Sequence, residues 1–151
     1  MGTRPSDGGI SPELDQLGQE LLGLALDRLA GGGEVLAVAE AMDAGGTRVT
    51  CEFEDDGPEA CIAAAREWVR RLDRTGGDEA SGVGTPRCYA IVYEGAVADE
   101  RDAYQDALIL EFGEKGALSG YSAFVLVNGV GLGEGFSWSD PEPAGEVPLL
   151  L

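Results

Sequence analysis

Cys88-Tyr-Ala-Ile-Val-Tyr93, Ala107-Leu-Ile-Leu-Glu-Phe112 and Tyr121-Ser-Ala-Phe-Val-Leu-Val127 follow one another between Arg87 and Val130. Each run is short, rich in β-branched and aromatic residues, and bounded by Gly, Asp or Asn, which is the pattern of a buried antiparallel meander. Strand side chains alternate with period two, so in the second run Leu108, Leu110 and Phe112 oppose Ala107, Ile109 and Glu111. In the first and third runs both faces are apolar. Cys88, Ala90 and Val92 oppose Tyr89, Ile91 and Tyr93, while Ala123, Val125 and Val127 oppose Phe124 and Leu126. Such strands need cover on both sides, from another layer of the chain or from a second copy of it.

Upstream of the meander lie a helix, a hairpin and a second helix. Ser11-Pro12-Glu13 reads as a helix start, with Ser as N-cap, Pro at the first helical position and acid near the positive end of the dipole. This first helix runs to about Ala30 and stops at Gly31-Gly32-Gly33. Its stripe of Leu14, Leu17, Leu21, Leu24 and Ala25 is widened by Leu22, Leu26 and Leu29 beyond a single face. Gly18 and Gly23 each cost about 1 kcal/mol of helix propensity relative to Ala, and close approach of another element is the expected reason for them.

Residues 34–54 read as a hairpin turning at Asp43-Ala44-Gly45-Gly46. In its second arm Val49, Cys51 and Phe53 point inward and Arg48, Thr50, Glu52 and Glu54 outward. The first arm, Glu34 to Met42, is read as a strand although its alanines also suit a helix. The second helix has acid at its start (Asp55, Asp56, Glu59), base at its end (Arg70, Arg71, Arg74), and a core stripe of Cys61, Ile62, Ala65, Trp68, Val69 and Leu72. Glu67 is placed to pair with Arg71 one turn on. Arg66, Arg70, Arg71 and Arg74 could form an anion patch, but dipole complement and local pairing account for them.

Twenty-eight Asp and Glu stand against ten Lys and Arg, a formal net charge of -18 in a chain of 151 residues that is 44% apolar. That apolar content is too high for an acidic disordered chain, and the length is enough for one core without metal or disulfide. A phosphate backbone would be repelled, so no direct binding to nucleic acid is expected. The three cysteines, Cys51, Cys61 and Cys88, have no C-x-x-C spacing and sit in apolar patterns, as reduced structural thiols do. With no signal-peptide pattern and no apolar run of membrane-spanning length, a cytoplasmic protein with no membrane partner is expected. Nine Arg to one Lys beside heavy Gly and Ala use points to a GC-rich bacterial source.

Histidine is absent, which removes Ser-His and Cys-His nucleophile pairs, a histidine base and His-ligated zinc. Gly135-Phe-Ser137-Trp-Ser139 lacks the last Gly of a nucleophile elbow, and the Gly129 to Gly135 series opens no helix that would hold a pyrophosphate. Acid gathers in two places: Glu52, Glu54, Asp55, Asp56 and Glu59, and Asp99, Glu100, Asp102 and Asp106. Neither follows the ligand spacing of a calcium loop.

Together these features predict an α+β fold, an antiparallel sheet of about five strands in the order helix, β-hairpin, helix, three-stranded meander, with both helices packed on one face. Residues 1–10 are expected to form a disordered tail, 11–130 the single domain, and 131–151 a Gly/Pro-rich acidic tail whose Pro148-Leu-Leu-Leu151 end docks. The expected function is non-catalytic: an acidic adaptor or inhibitor that needs no cofactor and acts on a basic protein partner through Glu52, Glu54, Asp55, Asp99, Glu100 and Asp102. The alternative is a small-ligand or divalent-metal binding domain using the acidic loop 99–106. A homodimer is expected from the apolar second face of the meander.

Overall fold

In a computed structural model, which describes residues 10–54, 57–98 and 101–151, the chain is an α+β protein built on one curled antiparallel sheet. The order is α1 (Pro12–Ala30), β1 (Ala37–Asp43), β2 (Arg48–Phe53), α2 (Pro58–Thr75), β3 (Pro86–Ala98), β4 (Tyr104–Glu114) and β5 (Gly120–Asn128). Two further strands follow, β6 (Ser137–Trp138) and β7 (Glu142–Val147). The strands lie side by side as β2-β1-β3-β4-β5-β6, and β7 also pairs with β5. The sheet therefore has seven strands rather than about five, and regular structure extends past residue 130. The expected N-terminal tail lies outside the described residues except for Ile10, which packs against the core beside α1.

The local signals act as the chemistry requires. Ser11 Oγ accepts from Leu14 N–H at 3.2 Å, and Gly31 N–H caps the far end of α1 by donating to Asp27 O. α2 ends on Gly76 in the left-handed conformation (φ 78°), where a side chain would be strained. The first hairpin arm is a strand. Asp43 at its turn accepts backbone N–H groups of Gly45 and Thr47 at 2.9 Å and of Gly84 at 2.8 Å, tying the hairpin to the loop that enters β3.

The helices lie on opposite faces, which corrects the expectation that both share one. α1 buries Leu14, Leu17, Leu21 and Leu29 against Val38, Ala90, Val92 and Leu108. α2 buries Cys61, Ala65 and Val69 against Ala37, Ala39, Tyr89 and Ile91. The alanines that made β1 ambiguous in sequence are the small residues on which α2 rests. Since both faces of β1 and β3 are apolar, each needs a cover, and burying a leucine fully is worth about 1.5–3 kcal/mol. The second face is completed by the chain's own end: Leu150 is buried, Leu149 and Leu151 pack beside it, and Leu150 N–H donates to Tyr89 Oη at 3.3 Å. Gly113 is glycine for the same reason, because a Cβ there would stand 2.8 Å from both Tyr89 Oη and Leu149. No helix among the described residues is long and apolar enough to cross a membrane.

Candidate functional site

Base is largely consumed by internal pairing. Arg28 holds Glu52 through two hydrogen bonds of 2.7 and 3.0 Å, and Arg48 bonds Glu20 while standing 3.7 Å from Glu40. Arg74 pairs with Glu67 and not, as expected, Arg71 with Glu67. Lys115 reaches Asp73 at 2.6 Å and Arg87 reaches Glu13 at 3.7 Å. Each exposed pair contributes only about 0–1 kcal/mol to stability, so the larger consequence is electrostatic: positive charge is matched locally and the surplus of acid faces solvent. Glu54, Glu59, Asp102, Asp140, Glu142 and Glu146 are all exposed.

Of the residues singled out from sequence, the described ones, Glu52 and Glu54 at the end of β2 and Asp102 before β4, stand at different levels of the sheet. Glu52 is engaged by Arg28, whose guanidinium holds its carboxyl below the usual range. Glu54 is exposed just past β2, and Asp102 is exposed in the turn before β4 with φ 60°, the left-handed region. Asp55, Asp99 and Glu100 lie outside the described residues. Phe53, the end of β2, is level with Ala37 and hence with Tyr93, whereas the Asp102 turn follows Ala98. Five residues of strand separate the two levels, roughly 17 Å along β3. For the ligand-binding alternative, Asp102 and Asp106 are the described acids of loop 99–106, and no group of three or more metal-capable side chains forms among the described residues.

A buried polar network on the α2 face went unforeseen. Glu111 is buried on the second face of β4, where Arg66 grips it with Nε at 3.0 Å and with Nη2, and Tyr93 Oη donates to it at 2.6 Å. The carboxylate raises the pKa of Arg66, and burial together with that same carboxylate pushes Tyr93 above its ordinary range. Three donors meet on this one buried carboxylate, so the network fixes α2 to β3 and β4. A Glu inside an otherwise apolar strand was the signal that could have found it. Arg66 thus leaves the anion patch considered for α2, where Arg70 and Arg71 remain exposed.

Cys61 and Cys88 are buried and Cys51 half-buried. Burial pushes the Cys88 thiol up to about 11 and raises Cys51 as well, which suppresses the reactive thiolate. Compared with protein families, with curated proteins and with solved structures, the chain finds no match in any of the three, so its site is read from its own geometry.

Proposed function

We propose that the protein is a non-catalytic interaction module whose acidic surface receives a basic protein partner. The observation that carries this is the net charge of -18 combined with the internal pairing of Arg28, Arg48, Arg66, Arg74, Arg87 and Lys115. That excess exceeds the magnitude of about 2–8 that serves solubility in a small domain. A field of one sign steers a complementary partner and raises its association rate more than it slows dissociation. Because Arg28 offsets the charge of the exposed Glu52, steering falls to the other exposed acids, Glu54 and Asp102 among them. The reason for expecting a homodimer has narrowed: α2 and Leu149 to Leu151 supply the cover that a second copy would have given.

The test takes a partner recovered at low ionic strength and measures association rates from about 0.05 M to about 1 M salt, over which the Debye length falls several-fold. The combined variant Glu54→Gln/Asp102→Asn/Asp140→Asn/Glu142→Gln runs beside the wild type. The expected result is a rate that falls by about tenfold or more with salt and severalfold with neutralisation. A rate indifferent to both removes the acidic surface from recognition.

A further inference from the structure

α1 has two unlike flanks. Toward β2 it is laced by charge, through Arg28 to Glu52 and Glu20 to Arg48. Toward β5 it borders a groove of about 460 Å³, with Leu14, Gly18, Leu22 and Leu26 along one wall and Leu110 and Phe112 on its floor. These α1 residues recur every four positions from 14 to 26, so the wall is roughly 18 Å long, the length of about three helical turns. Gly23 also lines the groove, and a Cβ added there would meet nothing within 4 Å; one added at Gly18 would meet only Leu110, at 3.4 Å. Among the described residues no neighbour requires Gly23. What its missing side chain does is keep the wall low.

We propose that this groove binds the apolar face of an amphipathic helix carried by the basic partner, an inference that rests on the acidic-module reading and locates its contact. Three observations select that occupant. The groove is partly open to solvent, whereas a small-molecule site encloses most of its ligand. Its length and apolar wall fit the helix-in-groove mode, in which residues at i, i+3, i+4 and i+7 enter an apolar trough, and the low glycines permit the close axial approach that helix packing needs. Among the described residues acid stands at its border: Asp15 lines it, exposed Asp140 precedes the lining Pro141, and Glu146 pairs with Tyr121, whose ring lies beside Phe112. A second copy of this chain, itself at -18, would bring like charge to that border.

The experiment uses three labelled peptides of roughly 16 residues: a Lys/Leu sequence with leucines at helical spacing, the same sequence with two central prolines, and its Glu/Leu counterpart. Anisotropy titrations are run on the wild type, on Gly23→Ala as a folding control, and on Gly23→Leu, which raises the wall. Circular dichroism confirms that each variant is folded. The Lys/Leu peptide is expected to bind the wild type, with affinity lowered about tenfold or more by Gly23→Leu and by the prolines, and with no binding of the Glu/Leu peptide. Equal binding to the wild type and to folded Gly23→Leu overturns the groove while leaving the acidic-module reading standing. Equal binding of the proline peptide does the same, since charge alone then suffices. If the Lys/Leu affinity is indifferent to salt and Glu/Leu binds as well, the acidic reading fails with it. Saturable one-to-one binding of dodecyltrimethylammonium, a cationic single-chain amphiphile, without binding of the Lys/Leu peptide replaces the helix by a small apolar ligand and also overturns the proposal.

Discussion

α2 turns one stripe to the sheet and the rest of its surface to solvent: Cys61, Ala65, Val69 and Leu72 are buried, while Ala63, Ala64, Arg70 and Arg71 are exposed. α1 on the opposite face is apolar over a wider arc. Leu14, Leu17, Leu21 and Leu29 reach the core, but Leu22 is only partly buried, and Leu24 is 43% exposed. A helix whose apolar arc exceeds its contact with the sheet has surface left for something else; on α1 Leu22 gives part of it to the groove wall, while Leu24 stands outside the groove. The difference teaches that burial need and interaction capacity are separable within one small fold: α2 is fully explained by packing, α1 is not.

The sharpest way to break that contrast is a pair of neighbouring leucines. Leu21→Ala removes a side chain that is 1% exposed and is expected to cost about 3 kcal/mol, whereas Leu22→Ala at the groove wall should cost below about 1 kcal/mol. Urea unfolding measures both. Equal losses would mean that Leu22 belongs to the core and that α1 has no spare face.

On the α2 side the matching change is Arg66→Met. It strands the buried Glu111 with Tyr93 Oη as its remaining donor. Breaking a buried pair costs about 3–5 kcal/mol, but the Arg66 side chain is 38% exposed and water can enter its place, so about 2 kcal/mol is expected. The double variant Arg66→Met/Glu111→Leu should recover most of that loss in the same unfolding measurement. Failure to recover would show that the network contributes more than it costs to desolvate.

How much of this could be read in advance depended on whether a signal was local. The α+β class, the caps at Ser11 and Gly31, the inward row Val49, Cys51 and Phe53, and the core stripe of α2 follow from spacing and end chemistry, and they stand in the structure. The placement of the helices on opposite faces depends on how β1, β3 and their covers meet in space, which no periodicity encodes. Strand β7, Glu142-Pro-Ala-Gly-Glu-Val147, carries Pro and Gly that argue against a strand; it pairs with β5 at the sheet edge and shifts register between Ser122 and Ala123, where such residues are tolerated. The acidic surplus was plain from composition. That Glu52 is held by Arg28 was not, because the two are 24 residues apart and meet only across α1 and β2.

The smallest expected effect comes from comparing two glycines. Gly23→Ala meets open space within a helix and should stabilise by about 0.5–1 kcal/mol, whereas Gly113→Ala puts a Cβ 2.8 Å from Tyr89 Oη and should destabilise by about 1 kcal/mol or more. Opposite signs in thermal unfolding would separate a glycine kept for packing from one that no packing among the described residues requires. A loss at Gly23→Ala would return that glycine to the close-approach explanation.

The contrast between the two helices is tested most directly by amide nitrogen and proton shifts of the labelled protein, followed as the basic Lys/Leu peptide is added. Gly18 and Gly23, whose amides stand apart from most others in such spectra, report on the α1 groove, and Arg70 and Arg71 report on the outer face of α2. The account predicts saturable shifts at Gly18, Leu22, Gly23 and Phe112, with the α2 residues unmoved. Shifts confined to α2, or scattered over the acidic surface with Gly18 and Gly23 still, would contradict it.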